Sequence, residues 1–189
     1  MLGEGVLPVT IVSANNLLDV ENMGKNDPYV RITTDINNDD SWQVTEVQED
    51  AGENASWGQT FEIALGGEST DLFVEVMDKE KGVDTIIGFC TIPLATVVGG
   101  ADGLYEIYTI KGEPAGVIHL VFNNAEGEAT PGRSYINDEH LERCKSLHHK
   151  ALAGDIGTAA VGAGLAIGAG LIGKKLFEEY KAKMAAEEA

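Results

Sequence analysis

Over the first two-thirds of the chain, apolar and polar residues alternate in short runs separated by Gly, Asn and Asp clusters. A two-residue period belongs to strands that turn one face to a core. The runs predict eight strands, at Leu7–Ala14, Pro28–Thr34, Trp42–Glu49, Gln59–Leu65, Leu72–Met77, Thr85–Pro93, Leu104–Ile110 and Gly116–Asn123. Leu72–Met77 reads as an alternating strand, whereas the run from Gly116 to Phe122 is apolar at nearly every position and predicts fuller burial. Short strands at such spacing predict an all-β fold, an antiparallel sandwich or barrel over residues 1–125.

The pattern changes beyond Asn124. Residues 126–136 are rich in Gly, Pro, Thr and Ser and read as a linker. A helix is expected over 137–153, capped by Asn137 or Asp138 and carrying His140, Leu141, Cys144, Leu147 and Leu152. Residues 154–189 read as a glycine-rich apolar helix with a charged end, and Ile156–Gly173 is an 18-residue stretch without charge. The end, Lys174–Ala189, places Lys174 opposite Glu178, Lys175 opposite Glu179 and Glu179 opposite Lys183, each at i,i+4.

Charge sharpens this division. The chain of 189 residues has a formal net charge of −18. Residues 1–126 hold five basic and 22 acidic side chains, a net −17, and residues 127–189 are nearly neutral. Nucleic acid is a poor partner, because phosphate binding needs clustered Lys and Arg. An anionic surface also repels bare anionic membrane, so the front region is expected to take up cations. Cys90 and Cys144 lie in different segments and do not suggest a disulfide framework. Strand-like sequence begins a few residues after Met1, so no secretory signal is expected, and the glycosylation sequon Asn54-Ala55-Ser56 is expected to stay unmodified in a cytoplasmic protein.

Gly5–Leu18 with Gly24–Val30, Asn54–Phe61, and Val74–Asp78 with Asp84–Gly88 are three stretches that together resemble the C2 family. Gly5–Leu18 followed by Gly24-Lys25-Asn26-Asp27-Pro28-Tyr29-Val30 is similar to the family's opening strand, first loop and Asp-Pro-Tyr-Val strand start. Asn54-Ala55-Ser56-Trp57-Gly58-Gln59-Thr60-Phe61 resembles Asn-Pro-x-Trp-Asn-Glu-x-Phe, with Ala55 and Gly58 as departures. Val74-Glu75-Val76-Met77-Asp78, a loop, and Asp84-Thr85-Ile86-Ile87-Gly88 resemble the third loop and its following strand. The three occur in the family's order. The resemblance implies an eight-stranded antiparallel Greek-key β-sandwich, in the type II-like permutation whose last strand fills the place of an extra first strand.

The resemblance also implies Ca2+ ligands at Glu21 and Asp27 in the first loop and at Asp78, Glu80 and Asp84 in the third, with Asp19 as a further candidate. The chemistry suits a hard ion that takes six to eight oxygens. Crowded carboxylates repel, at ~1–4 kcal/mol for each like pair about 4 Å apart, and a cation removes that repulsion. Phospholipid phosphate then supplies the remaining ligands. Glu21 and Glu80 stand where Asp is usual in the family, and Lys79 and Lys81 lie within a short third loop. The family's alternative lipid site, a lysine-rich strand, has no counterpart, because Trp42–Asp50 carries Glu46, Glu49 and Asp50 and no Lys. Val20, Met23 and Val83 are the expected lipid contacts, with Ile86 as a fourth.

In the apolar stretch, Ala160, Gly164 and Gly168 recur every fourth residue and would pack a second helix closely. Eighteen helical residues span roughly 27 Å, near the lower limit for crossing a bilayer. The expectation is therefore a tail that associates with membrane, or that pairs with a helix of another protein or a second copy. Gly168-Ala-Gly170-Leu-Ile-Gly173 matches a dinucleotide fingerprint literally but follows no strand. His140, Cys144 and His148 share a helix face at zinc-like spacing, lack a fourth ligand, and read as a polar helix surface. No catalytic set is found. The sequence thus points to a non-enzymatic, calcium-dependent phospholipid-binding protein, peripheral or C-terminally anchored at a membrane. The alternative is a docking subunit of a larger assembly whose C2 domain no longer binds calcium.

Overall fold

The computed structural model describes residues 5–21 and 24–154. Among these residues nine strands and one α-helix form: β1 Gly5–Asn15, β2 Pro28–Thr33, β3 Gln43–Val44, β4 Ala55–Leu65, β5 Asp71–Asp78, β6 Thr85–Pro93, β7 Ala101–Tyr108, β8 Pro114–Phe122, β9 Thr130–Pro131 and α1 Asp138–Gly154. Hydrogen-bonded neighbours run in the order β3-β2-β5-β6-β7-β8-β1-β4. Between β6 and β7 a single pair, Phe89 with Tyr108, makes the connection. That seam divides the path into two four-stranded layers. Leu7, Val9, Ile11, Leu120 and Phe122 of one layer and Val30, Ile32, Leu72, Val74 and Val76 of the other share one core. The result is the expected antiparallel sandwich, and β8 is central, paired with both β1 and β7.

Strand β1 keeps the predicted alternation, burying Leu7, Val9 and Ile11 and leaving the residues between them part-exposed. Strand β5 does not. Every residue from Leu72 to Asp78 is buried, because α1 covers the face that a two-residue period would leave wet. Leu141 and Cys144 of α1 pack with Tyr29, Met77, Ile86 and Phe89. Asn137 starts the helix, its Oδ1 accepting the backbone N–H groups of Glu139 (2.9 Å) and His140 (3.3 Å).

Two further stretches differ from their sequence reading. The run Trp42–Glu49 forms only the two-residue β3, because Thr45 and Gln48 donate their N–H groups to Val30 and Pro28 of β2 outside a regular ladder. Asp50 (φ 56°) and Gly52 (φ 68°) then turn the chain. The stretch expected as a linker, 126–136, lies along the seam: β9 pairs in parallel with β7, and Tyr135 exchanges backbone hydrogen bonds with Thr91 of β6 at 2.9 and 3.0 Å. It therefore stitches both layers where they barely touch. Among the described residues no helix is long and apolar enough to cross a membrane, and the proposed tail positions Ala160, Gly164 and Gly168 lie outside them.

Candidate metal centre at the loop ends

Strands β2 and β5 pair in a register that sets Pro28 opposite Asp78. This brings the first loop beside the third at one end of the sandwich. Asn26, 1 % exposed, holds the first loop closed. Its amide donates to the Leu18 carbonyl at 2.9 Å and accepts from the Val20 N–H at 3.1 Å. The third loop is anchored by the Lys79 N–H on the Asp27 carbonyl at 3.0 Å.

Glu21, Asp78 and Glu80 converge, each offering a carboxylate oxygen within 4.8 Å of the others. Asp78 is the buried member, at 0 % exposure. Its Oδ1 accepts the Asp27 N–H at 2.6 Å, while its buried Oδ2 has no hydrogen-bond partner. Burial, with the charges of Glu21, Glu80 and Asp27 adding to it, pushes the Asp78 carboxyl up to about 6 against the single opposing Asp27 N–H. An anionic oxygen held dry and unpaired among carboxylates fits a cation. The donors are all oxygen, which suits Ca2+ rather than a softer metal.

The other expected ligands stand around this trio without joining it. Asp27 Oδ1 accepts the Asp50 N–H at 2.6 Å. Asp84 Oδ1 accepts the Glu80 N–H at 3.0 Å, and Asp84 Oδ2 accepts from the Tyr29 hydroxyl at 2.7 Å and from Lys79 Nζ at 3.2 Å. Burial works to raise the Asp84 carboxyl, but those three donors outweigh it and hold it below the ordinary carboxylate value. Asp19 is exposed, with Oδ1 accepting the Glu21 N–H at 3.1 Å.

Of the expected lipid contacts, Val83 is 46 % exposed on the third loop. Val20 instead packs partly against the core, and Met23 lies outside the described residues. Ile86 is buried beneath α1 and offers nothing to a membrane. Leu18, 45 % exposed on the first loop, escaped the sequence reading because its neighbour Leu17 is core and the pair reads as one apolar unit.

A second polar group lies under α1. Glu75, His140 and Cys144 are each 0 % exposed and bring one ligand atom each within 4.8 Å of the others. Glu75 Oε2 pairs with Arg31 Nε, and Oε1 takes Arg143 Nε at 3.0 Å. Arg31 and Arg143 both stack on Trp42, at 5.2 and 4.7 Å from the ring centroid. Burial raises the Glu75 carboxyl, but His140, Arg31 and Arg143 together bring it below its ordinary value. Burial also drives the His140 imidazole down, against the pull of Glu75. The polar helix surface expected for His140 and Cys144 is thus corrected: both face inward, because Glu75 on β5 gives them a buried partner. The half-buried His148 sits instead beside His149, ring centroids 6.2 Å apart.

Comparison with known proteins agrees with this architecture. A calcium-dependent lipid-binding protein of Arabidopsis thaliana is 30 % identical over 180 residues, which cover 89 % of this chain and 34 % of that protein. The 16 kDa phloem protein 2 of the same plant is 34 % identical over 94 residues, 49 % of this chain and 61 % of the relative. The chain therefore spans roughly a third to three-fifths of these relatives' lengths. A C2 domain of a plant extended synaptotagmin 1 superposes with a TM-score of 0.54 at 20 % identity, covering 69 % of this chain and 97 % of that one, and so shares the fold. The family model described as the C2 domain matches residues 5–107. With that match over more than half its length, and with the sandwich and loop arrangement described above, the chain belongs to the C2 domain family.

Proposed function

We propose that this chain is a non-enzymatic, calcium-dependent phospholipid-binding protein. Glu21, Asp78 and Glu80 take the first Ca2+, and Asp27 and Asp84 add ligands once the ion draws them from their present hydrogen bonds. The observation that carries this reading is the dry, unpaired Asp78 Oδ2 among like charges. The ion cancels local repulsion and leaves coordination positions that anionic headgroups fill. Leu18 and Val83 flank the bridge as shallow apolar contacts. The name of the Arabidopsis relative, a calcium-dependent lipid-binding protein, supports the same reading.

In this account the protein acts at the cytoplasmic face of a membrane as a peripheral or C-terminally anchored component. Ile156–Gly173, uncharged and carrying Ala160, Gly164 and Gly168 four residues apart, supplies a second attachment to lipid or to another helix.

Flotation of the full chain with phosphatidylserine-containing vesicles tests the proposal. Calcium is expected to raise the bound fraction, a chelator wash to release the increment, and Asp78→Asn to abolish it. A bound fraction equal in calcium and in chelator overturns it and favours a docking subunit that has lost calcium binding.

A further inference from the structure

We infer that Glu75, His140 and Cys144 form a binding site for a zinc-class ion under α1, separate from the loop-end carboxylates. The donors are one carboxylate oxygen, one imidazole nitrogen and one thiol sulfur, a set that favours zinc over calcium. Their spacing fits. His140 Nε2 lies 3.4 Å and Cys144 Sγ 3.8 Å from Glu75 Oε1. A tetrahedral ion with bonds of about 2.0–2.3 Å separates adjacent ligand atoms by roughly 3.3–3.6 Å.

The independent observation is His140 itself. Its ring is buried, Nδ1 is 3.1 Å from the Thr91 hydroxyl oxygen, and Nε2 points into the cluster, facing Glu75 Oε1 at 3.4 Å outside hydrogen-bond geometry. When the Thr91 hydroxyl oxygen accepts a hydrogen bond from Nδ1–H, the Nε2 lone pair faces Glu75 and Cys144. An outer partner on the second ring nitrogen is what orients a metal-bound histidine. Phe73 and Phe89 fix the same ring edge-on, at 5.2 and 4.8 Å.

Two cations stand close and bear on the charge balance. Arg31 and Arg143 hydrogen-bond Glu75, and Arg143 also reaches Asp39 at 3.3 Å. They act as the outer hydrogen bonds that ligating carboxylates ordinarily carry. On binding, Cys144 releases its thiol proton to solvent and becomes a thiolate, and nothing is oxidised or reduced. Three protein ligands leave one coordination position for water. The ion ties α1 to β5, so binding is coupled to helix docking.

The test uses the full chain, stripped with chelator and titrated with Co2+ and then Zn2+ in excess Ca2+. The expected result is one Co2+ per chain with a thiolate-to-cobalt charge-transfer band, displaced by Zn2+, and a melting temperature that rises with Zn2+. Cys144→Ser removes the band and Cys90→Ser keeps it. Thr91→Val, which preserves shape, weakens Zn2+ binding about 10- to 100-fold. A wild-type chain with neither band nor melting shift overturns the proposal and leaves a hydrogen-bonded network alone. A band that survives Cys144→Ser also overturns it. Neither readout depends on the loop ends binding calcium, so the two proposals fail separately.

Discussion

Asp27 and Asp78 are locked together by the 2.6 Å hydrogen bond from the Asp27 backbone N–H to Asp78 Oδ1. The bond turns one Asp78 oxygen into a structural hinge between the first and third loops and leaves the other buried and unpaired. The loop ends therefore carry a charge that opposes the stability of the fold. An acid raised to about 6 in the folded state binds more protons there than in the unfolded chain, so its stabilising contribution is full below the ordinary 3.8 and is lost as pH rises through about 6. At neutral pH, Asp78→Asn should stabilise the calcium-free protein by about 1–3 kcal/mol. Urea denaturation in chelator checks this, with equal or lower stability as the contrary result.

At the proposed calcium site the same titration sets the pH dependence of ion uptake. Protons compete with Ca2+ for Asp78, so affinity should fall about tenfold between pH 7.5 and 5 if one carboxyl near 6 dominates. Calcium titration calorimetry at the two values measures it.

At the proposed calcium site Lys79 competes with the ion for Asp84. Its ammonium lies 3.2 Å from Asp84 on a side chain that is 53 % exposed, so solvent screens the pair. Lys79→Met should tighten calcium binding by about 1.4- to 5-fold, the equivalent of the ~0.2–1 kcal/mol that exposed ion pairs contribute. Unchanged or weaker affinity would remove Lys79 from the account.

The buried ion network under α1 makes a stability prediction of opposite sign. Glu75→Gln leaves Arg31 and Arg143 without their carboxylate and should cost about 3–5 kcal/mol. Glu75 and His140 both have folded values below their ordinary 4.5 and 6.5. Their contributions are full above those values and are lost as pH falls through each window, His140 first. In an Asp78→Asn background, which removes the opposing loop effect, the melting temperature should decline steadily as pH drops below 6.5. A flat profile down to pH 5 would contradict the assignment of His140 as buried and neutral.

Cutting the chain after Glu126 should be strongly destabilising, although residues 5–107 hold the whole family match. The cut removes β9 and the Tyr135 bridge from the seam, and α1 from Tyr29, Met77 and Phe89. Differential scanning calorimetry of the shortened chain should show a lower, broader transition than the full chain.

Much of this fold was legible because strands of one-face burial write their period into sequence. Leu7, Val9 and Ile11 show it, and the turn clusters mark where the strands stop. Buried β5 was harder, since Glu75 looked like the wet position of an alternating strand and only a helix more than 60 residues later makes it dry. The seam strap was missed for a related reason. Thr130-Pro131 carries no strand signal of its own and is held by its β7 neighbour rather than by propensity. The family motif located the acidic loops, yet their arrangement depends on backbone donors: the Asp50, Glu80 and Asp27 N–H groups decide which carboxylates are engaged, and no residue type announces that.

The measurement closest to the central claim is isothermal titration of the full chain with Ca2+ at neutral pH, beside Asp78→Asn. Saturable binding to the wild type, lost in a variant that is still folded and more stable in chelator, is the predicted result. No heat from the wild type at millimolar calcium, with an unshifted melting temperature, would contradict it.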